Sequence, residues 1–458
     1  MATVSHTPAV AWWPSSRVRE RLAALWPVLP AVATVLLLSG PIALVDTADA
    51  SAAGRITLAD VASALLVVYC AVRVLRARSR PLSWPAAVIL AAPAGAFAVA
   101  TVASSDPAAS LTGFIRYLQV FVLVPAALLL LLRGRRDFRL VAGSVLLLAL
   151  VQGAIGVQQY LTGTGASYQG QDIRAVGTFG AVHVMSMATV VSHGVIIALS
   201  LGLAPPAGSP RWFRPAALGC AAALLVPLTL SFSRGAWIAT AVAGTAVLLL
   251  AGLRLALRTF TVLMAAIVVL VGGAGVGSDL IGQRLSSITQ VTAAPDRSVT
   301  DRYAMWAAAV SMWRDHPATG VGLKGFPAHR DGHASVGLSS ASDTAGAGME
   351  FQREPLLSPH NMYLLVLSEQ GLIGVTALVG GWAALLACGL RRLATARPRG
   401  PAADCGLIAA GLLIWQLVDF GYTDIGGPTS VLTAVVFGLV AWWALRPGAR
   451  TGDEAVAR

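Results

Sequence analysis

Charge is scarce in this chain. Asp, Glu, Lys and Arg make up 12% of its 458 residues, against about 25% in an ordinary soluble domain, and Lys324 is its one lysine. With 56% hydrophobic residues and a mean hydropathy of +0.72, this shortage excludes a soluble globular domain and points to an all-α integral membrane protein. Cysteine is rarer still. Cys70, Cys220, Cys388 and Cys405 lie in or beside apolar runs without metal-ligand spacing, so no disulfide framework and no cysteine metal site is expected. The histidines show no HExxH-like pattern, and no internal repeat suggests the duplicated halves of many transporters.

What the chain has is long apolar runs. A helical span needs roughly 20 such residues, and the runs near 23–44, 57–75, 82–103, 113–132, 139–160, 181–203, 214–230, 235–252, 257–275, 360–390, 404–421 and 428–445 give about twelve. The first carries no small-residue cleavage site before it and reads as a retained span. Cations set the orientation, because cytoplasmic loops are enriched in Lys and Arg. With the N-terminus inside, the inner segments hold clusters such as Arg73, Arg76, Arg78 and Arg80, then Arg133, Arg135, Arg136 and Arg139, then Arg391, Arg392, Arg397 and Arg399. The outer short loops and span ends hold only Arg55, Arg116, Arg174 and Arg234. The net charge of +12 is then a property of the inner face and carries no implication of nucleic acid. The expected organisation is a membrane domain over 1–275, an external loop over 276–358, a second membrane segment over 359–446 and a cytoplasmic tail over 447–458.

The polar residues of such a chain need separate explanation. Arg234 lies in Ser231-Phe232-Ser233-Arg234-Gly235, a very short external turn, where an arginine near hydrocarbon is a functional candidate by default. Ser233 would cap the following helix, whose N-terminal N–H groups and dipole already favour an anion; a guanidinium beside them makes a phosphate or diphosphate clamp. The competing explanation is an arginine that snorkels to lipid headgroups. Within the long loop, Thr300–Asp315 reads as a helix with Met305, Trp306, Ala309, Met312 and Trp313 on one stripe, suited to the membrane surface or to the span ends. Arg302 shares that side, although it can equally pair with Asp301 or Asp315. His360 opens the tenth span, where the helix dipole keeps imidazole neutral and able to take a proton; a capping or packing histidine is the alternative.

These residues also occur in a recognisable order. Ser233-Arg234-Gly235-Ala236, then Arg302-Tyr303-Ala304-Met305-Trp306, then Asp315-His316-Pro317 through Gly320-Val321-Gly322 to Phe326, then His360-Asn361-Met362-Tyr363-Leu364 with Glu369-Gln370-Gly371 resemble the O-antigen ligase and O-antigen polymerase superfamily. Gln159-Tyr160-Leu161-Thr162-Gly163 and Arg174-Ala175-Val176-Gly177-Thr178-Phe179 are similar to that family's lead into its sixth span, with His183 where the pattern usually has Asn. The resemblance implies a GT-C-like membrane glycosyltransferase. It implies transfer of a glycan from a polyprenyl-diphosphate carrier to a lipid-linked, growing or protein acceptor at the external face, metal-free, with no cofactor and with inversion. Carried over, Arg234 binds the diphosphate, Arg302 binds it or positions the reacting groups, and His360 deprotonates or aligns the acceptor hydroxyl. Arg116, Arg174, Ser233, Asn361 and Tyr363 are the further substrate-binding candidates, while Glu369, counted along a straight helix, falls too deep to orient His360. The acceptor is expected to be read by a variable stretch such as Ala328–Pro355.

Three rival classes remain at this stage. Asp46 and Asp49 in the first external loop suit a metal-dependent membrane glycosyltransferase. Many spans alone suit a transporter, which would need charges near mid-membrane and broken helices. A non-catalytic assembly partner that keeps the fold is the third. The charge placement makes one prediction directly. Alkaline phosphatase inserted after Gly332 should be active in intact cells, and the same enzyme fused after Arg446 should be silent; the reverse pattern would invert the topology.

Overall fold

The computed structural model describes residues 26–40, 56–77, 82–167, 173–180, 183–267, 297–334, 341–346, 352–395 and 402–446. In chain order the helices are α1 (Leu29–Leu36), α2 (Leu58–Ala77), α3 (Trp84–Val102), α4 (Pro107–Leu118), α5 (Val124–Leu131), α6 (Arg135–Thr162), α7 (Val184–Leu203), α8 (Phe213–Leu230), α9 (Arg234–Ala251) and α10 (Leu253–Ile267). Then follow α11 (Arg297–Asp315), α12 (Phe326–His333), α13 (Met362–Thr395), α14 (Ala403–Asp419) and α15 (Ser430–Leu445). A π-helical turn over Gln119–Leu123 joins α4 to α5 into one continuous apolar rod. Among the described residues eight helices are long and apolar enough to cross a membrane, with shorter apolar helices at Leu29–Ser39 and Ser430–Leu445. This is a multi-pass membrane protein. Parts of the expected first and ninth spans, and both Asp46 and Asp49, lie outside the described residues.

The bundle is organised around α14. Nearly every residue of this helix is buried, as expected for a helix that is apolar all round. Its Trp415 donates its indole N–H to Thr240 Oγ1 on α9 at 3.0 Å, and the Thr240 hydroxyl donates to the Ala236 carbonyl at 2.7 Å. His193 of α7 stands edge-on to the same indole with centroids 4.5 Å apart, so this histidine is a packing residue of the core. At the far end of the bundle Arg139 of α6 grips Asp404 of α14 with two bonds, of 2.5 and 3.0 Å. Arg392 donates to the carbonyls of Trp443 and Arg446. The arginine-rich helix ends therefore gather at one end, opposite Arg234 and His360.

The expected single span at 360–390 is instead a bent helix. At Gly371 the backbone is non-helical, with φ 61° and ψ −159°, and the chain turns back on itself. Tyr363 and Trp382 show the result: their ring centroids are 6.1 Å apart, whereas a continuous helix would separate them by roughly 28 Å. The break frees backbone groups that hydrocarbon cannot satisfy, and the loop after α11 supplies their partners. Val321 and Gly322 donate to the carbonyls of Ser368 and Glu369 at 2.9 and 3.0 Å, and Leu372 and Ile373 donate to those of Pro317 and Ala318 at 2.9 and 3.2 Å. A broken helix is one mark of a transporter, but here the freed groups are stitched to a loop. Glu369 lies on the helical stretch that starts at Met362 and precedes the break, so its distance from His360 along the helix stays as the sequence implied. It sits at the bend, buried, and accepts the Phe326 N–H at 3.3 Å.

The α11 stripe packs as the periodicity implies, with Met305, Ala308, Ala309 and Met312 fully buried, and it lies over the bend of α13. The all-α expectation needs one amendment. Short strands β1 (Ala166–Ser167), β2 (Ala341–Gly346) and β3 (Gln352–Pro355) form an antiparallel sheet in the order β1-β2-β3, so part of the Ala328–Pro355 stretch is a hairpin paired to the loop after α6.

Only glycine fits the bend. A Cβ on Gly371 would lie 2.4 Å from the Ala318 carbonyl group, and one on Gly320 would lie 2.4 Å from the Gln370 nitrogen. Gly371→Ala should therefore lower stability by about 1 to 3 kcal/mol or more, read as a lower melting temperature in detergent. Gly380→Ala, which meets nothing within 4 Å, should leave it unchanged or slightly raised.

Candidate functional site

Two tight turns and one helix end meet at the end of the bundle that carries α11. The first turn precedes α9. Phe232 takes a left-handed conformation (φ 50°), which lets Ser233 adopt the extended N-cap geometry and accept the Ala236 N–H at 3.3 Å. Arg234 is then the first helical residue. It is exposed and has no hydrogen-bond or ion-pair partner among the described residues. The turn is held from behind. Ala175 donates to the Leu230 carbonyl at 3.0 Å, and Tyr160 faces Phe232 with centroids 6.5 Å apart. Gln159 holds the 176–177 backbone through bonds of 2.8 to 3.1 Å. Arg174 lies in this buttress, engaged with neighbours of its own.

The second turn leads into α13. His360 also takes a left-handed conformation (φ 47°), and Asn361 rather than His360 caps the helix: its Oδ1 accepts the Leu364 N–H at 3.1 Å. The other end of the Asn361 amide donates to the Gly421 carbonyl at 3.1 Å. Met362 N–H is shared by the carbonyls of Phe420 and Thr423 at 2.8 and 2.9 Å, and Tyr363 Oη donates to the Leu417 carbonyl at 2.6 Å. Asn361 and Tyr363 therefore spend their polar groups anchoring the His360 turn to the C-terminal end of α14.

That anchor brings in Asp424. Asp424 accepts a short hydrogen bond from the Ser358 hydroxyl, and Ser358 Oγ accepts the His360 N–H at 3.2 Å. Asp424 and Arg302 both lie within electrostatic reach of the imidazole. No linear motif announces Asp424; only its closeness to Asp419, Gly421 and Tyr422 at a helix end hinted at it. Arg302 comes in from α11, which is itself tied to the turn by Trp306, whose indole donates to the Pro359 carbonyl at 2.9 Å. Tyr422 links the two turns, because its ring would stand 3.4 Å from a Cβ placed on Gly235. On the far flank of the same turn, a Cβ on Gly427 would stand 3.0 Å from His183 Nδ1.

The imidazole of His360 makes no hydrogen bond among the described residues, so both ring nitrogens remain open to a ligand. Burial, helped by the Arg302 guanidinium, holds its pKa below the usual histidine value, and Asp424 offsets only part of that. The ring is thus neutral at pH 7, as a proton acceptor must be. Arg116 belongs elsewhere. It pairs with Asp60 on α2 and reaches Gln119 at 3.1 Å, a network within the helix bundle. Among the described residues no three His, Cys, Asp or Glu side chains cluster as a metal would require.

Residues 219–379 match the O-antigen ligase family model. The matched segment begins in α8 and ends within α13, so it contains Arg234, Arg302 and His360 and stops short of Asp424. No curated protein matches the chain. A segment similar to the O-antigen ligase family, set among membrane-crossing helices, supports a membrane enzyme of the O-antigen ligase and polymerase type, in polysaccharide biosynthesis.

The electrostatics give signed predictions. In an NMR titration the His360 ring should protonate below pH 6.5. Arg302→Gln removes a repelling cation and should move its midpoint up, whereas Asp424→Asn removes the attracting anion and should move it down. Because the folded protein resists a proton that the unfolded chain accepts near the ordinary histidine value of 6.5, the contribution of His360 to stability declines as pH falls below that value. A midpoint at or above 6.5 would remove the neutral-base assignment.

Proposed function

We propose that this protein transfers a glycan from a polyprenyl-diphosphate carrier to an acceptor hydroxyl at the external face of the membrane, without a metal and with inversion. One observation carries the reading. An exposed, unpartnered arginine at a helix N-terminus and a neutral, unbonded histidine stand on two turns tied together through Tyr422 and Asp424.

The chemistry follows from those groups. Donor diphosphate binds at Arg234, where the guanidinium and the N-terminal dipole of α9 act on the same anion. His360 takes the proton from the acceptor hydroxyl as its oxygen attacks the anomeric carbon. The bond from that carbon to the diphosphate oxygen breaks, and the leaving group departs with the negative charge that Arg234 neutralises. Arg302 contributes positive charge beside the reacting centre and lowers the affinity of His360 for a proton beforehand. Asp424 steadies the imidazolium once it forms, and through Ser358 it fixes the turn that presents the ring. Ligase and polymerase chemistry both fit this arrangement, since they share the donor and differ only in the acceptor.

In cells lacking the gene, full-length chains retained on the polyprenyl carrier would identify a ligase, and unpolymerised single units a polymerase. Normal surface glycan would overturn the proposal. His360→Ala and Arg234→Ala should each reduce transfer by about 10²- to 10⁴-fold while the protein still inserts and elutes as a folded species. Arg234→Lys should recover little, because an ammonium cannot form the bidentate contact. Loss of activity in EDTA would favour the Asp46 and Asp49 reading instead.

A further inference from the structure

Tyr303 follows Arg302 on α11 and is 61% exposed. Its ring lies edge-on to that of Trp306, with centroids 5.5 Å apart. Tyr303 and Trp306 are neighbours three positions apart on the helix, while Met305, Ala308, Ala309 and Met312 carry the packing. Trp306 is fixed by its bond to the Pro359 carbonyl, immediately before His360. Other exposed aromatics, such as Trp26, Trp84 and Trp212, stand at or near the starts of membrane helices, where interfacial anchoring accounts for them. Tyr303 is on no membrane-crossing helix. It presents an exposed aromatic face at little conformational cost, linked to the His360 turn through Trp306 and the Pro359 carbonyl.

We propose that Tyr303, braced by Trp306, is the ledge on which a pyranose ring of the acceptor stacks, its C–H face against the tyrosine ring and its reacting hydroxyl directed to His360. The inference rests on the transferase reading above and names which substrate this side receives. The Arg234 turn reaches His360 through Tyr422 and Asp424, so the donor diphosphate comes from that side; α11 reaches it through Pro359, and that side is left to the acceptor. A ledge of this kind reads the shape of a sugar face and needs no charge on the sugar.

The test uses the full chain in lipid nanodiscs. The donor is the polyprenyl-linked glycan isolated from cells lacking the gene, and the acceptor is the oligosaccharide fraction cut from the envelope of the same cells. Tyr303→Ala should raise the acceptor KM about tenfold, equivalent to about 1.4 kcal/mol, and leave donor KM and kcat within about twofold. Tyr303→Phe and Tyr303→Trp should keep the acceptor KM near that of the wild type. If the alanine variant yields too little folded protein, Tyr303→Leu against Tyr303→Phe makes the same comparison with an apolar side chain lacking a ring. An unchanged acceptor KM in the ring-less variants, a rise confined to donor KM, or a Phe variant as impaired as the Ala variant would overturn the ledge. Absence of transfer by the wild-type protein would strike the transferase reading itself, and the ledge with it.

Discussion

The site depends on one backbone arrangement, the break of α13 at Gly371 and the four hydrogen bonds that close it. A helix interrupted inside a membrane protein leaves N–H and C=O groups that lipid cannot satisfy. Here Pro317, Ala318, Val321 and Gly322 satisfy them, and in doing so they fix the loop that follows α11. Because the helix folds back, its first turns come beside Trp382 and against Phe420, and His360 is delivered to the end of α14. Straighten α13 and that histidine would be carried away from Asp424, Tyr422 and Arg302 together.

Around this bend, long-range pairs settle which polar groups remain free to act. Asn361 and Tyr363 are occupied in holding the His360 turn to the 417–423 backbone. Ser233 is occupied as a cap and Arg116 in its pair with Asp60. Arg234 and the imidazole of His360 are the groups these bonds leave unpaired, each on a turn that the surrounding network holds in place. Preorganisation of this sort lets charge stabilisation act without rearrangement when charge develops.

Much of this was legible in the chain. Apolar runs marked the spans, helical spacing in Met305, Ala309 and Met312 marked the packed face of α11, and a short turn with Ser before Arg marked the cap at α9. What stayed hidden depended on contacts distant in sequence. Gly371 sits in an apolar run that continues well past it, so the run reads as one straight helix; nothing local reveals that Pro317–Gly322 will bond across the break. Asp424 carries no local mark of its role, because its partners, Ser358 and His360, lie more than sixty positions away. Arg116 reads as a substrate-binding candidate in the sequence because its partner Asp60 is distant in the chain.

The left-handed backbone at Phe232 and His360 has an evolutionary consequence. A non-glycine residue held there costs on the order of 1 to 3 kcal/mol, and glycine would remove most of that cost. The sequence keeps a bulky aromatic in one turn and an imidazole in the other, so it is not the most stable sequence for its own backbone. At Phe232 the ring contact with Tyr160 offsets part of that cost. At His360 glycine would relax the turn and remove the imidazole with it, so there the strain is tied to the side chain that the site needs.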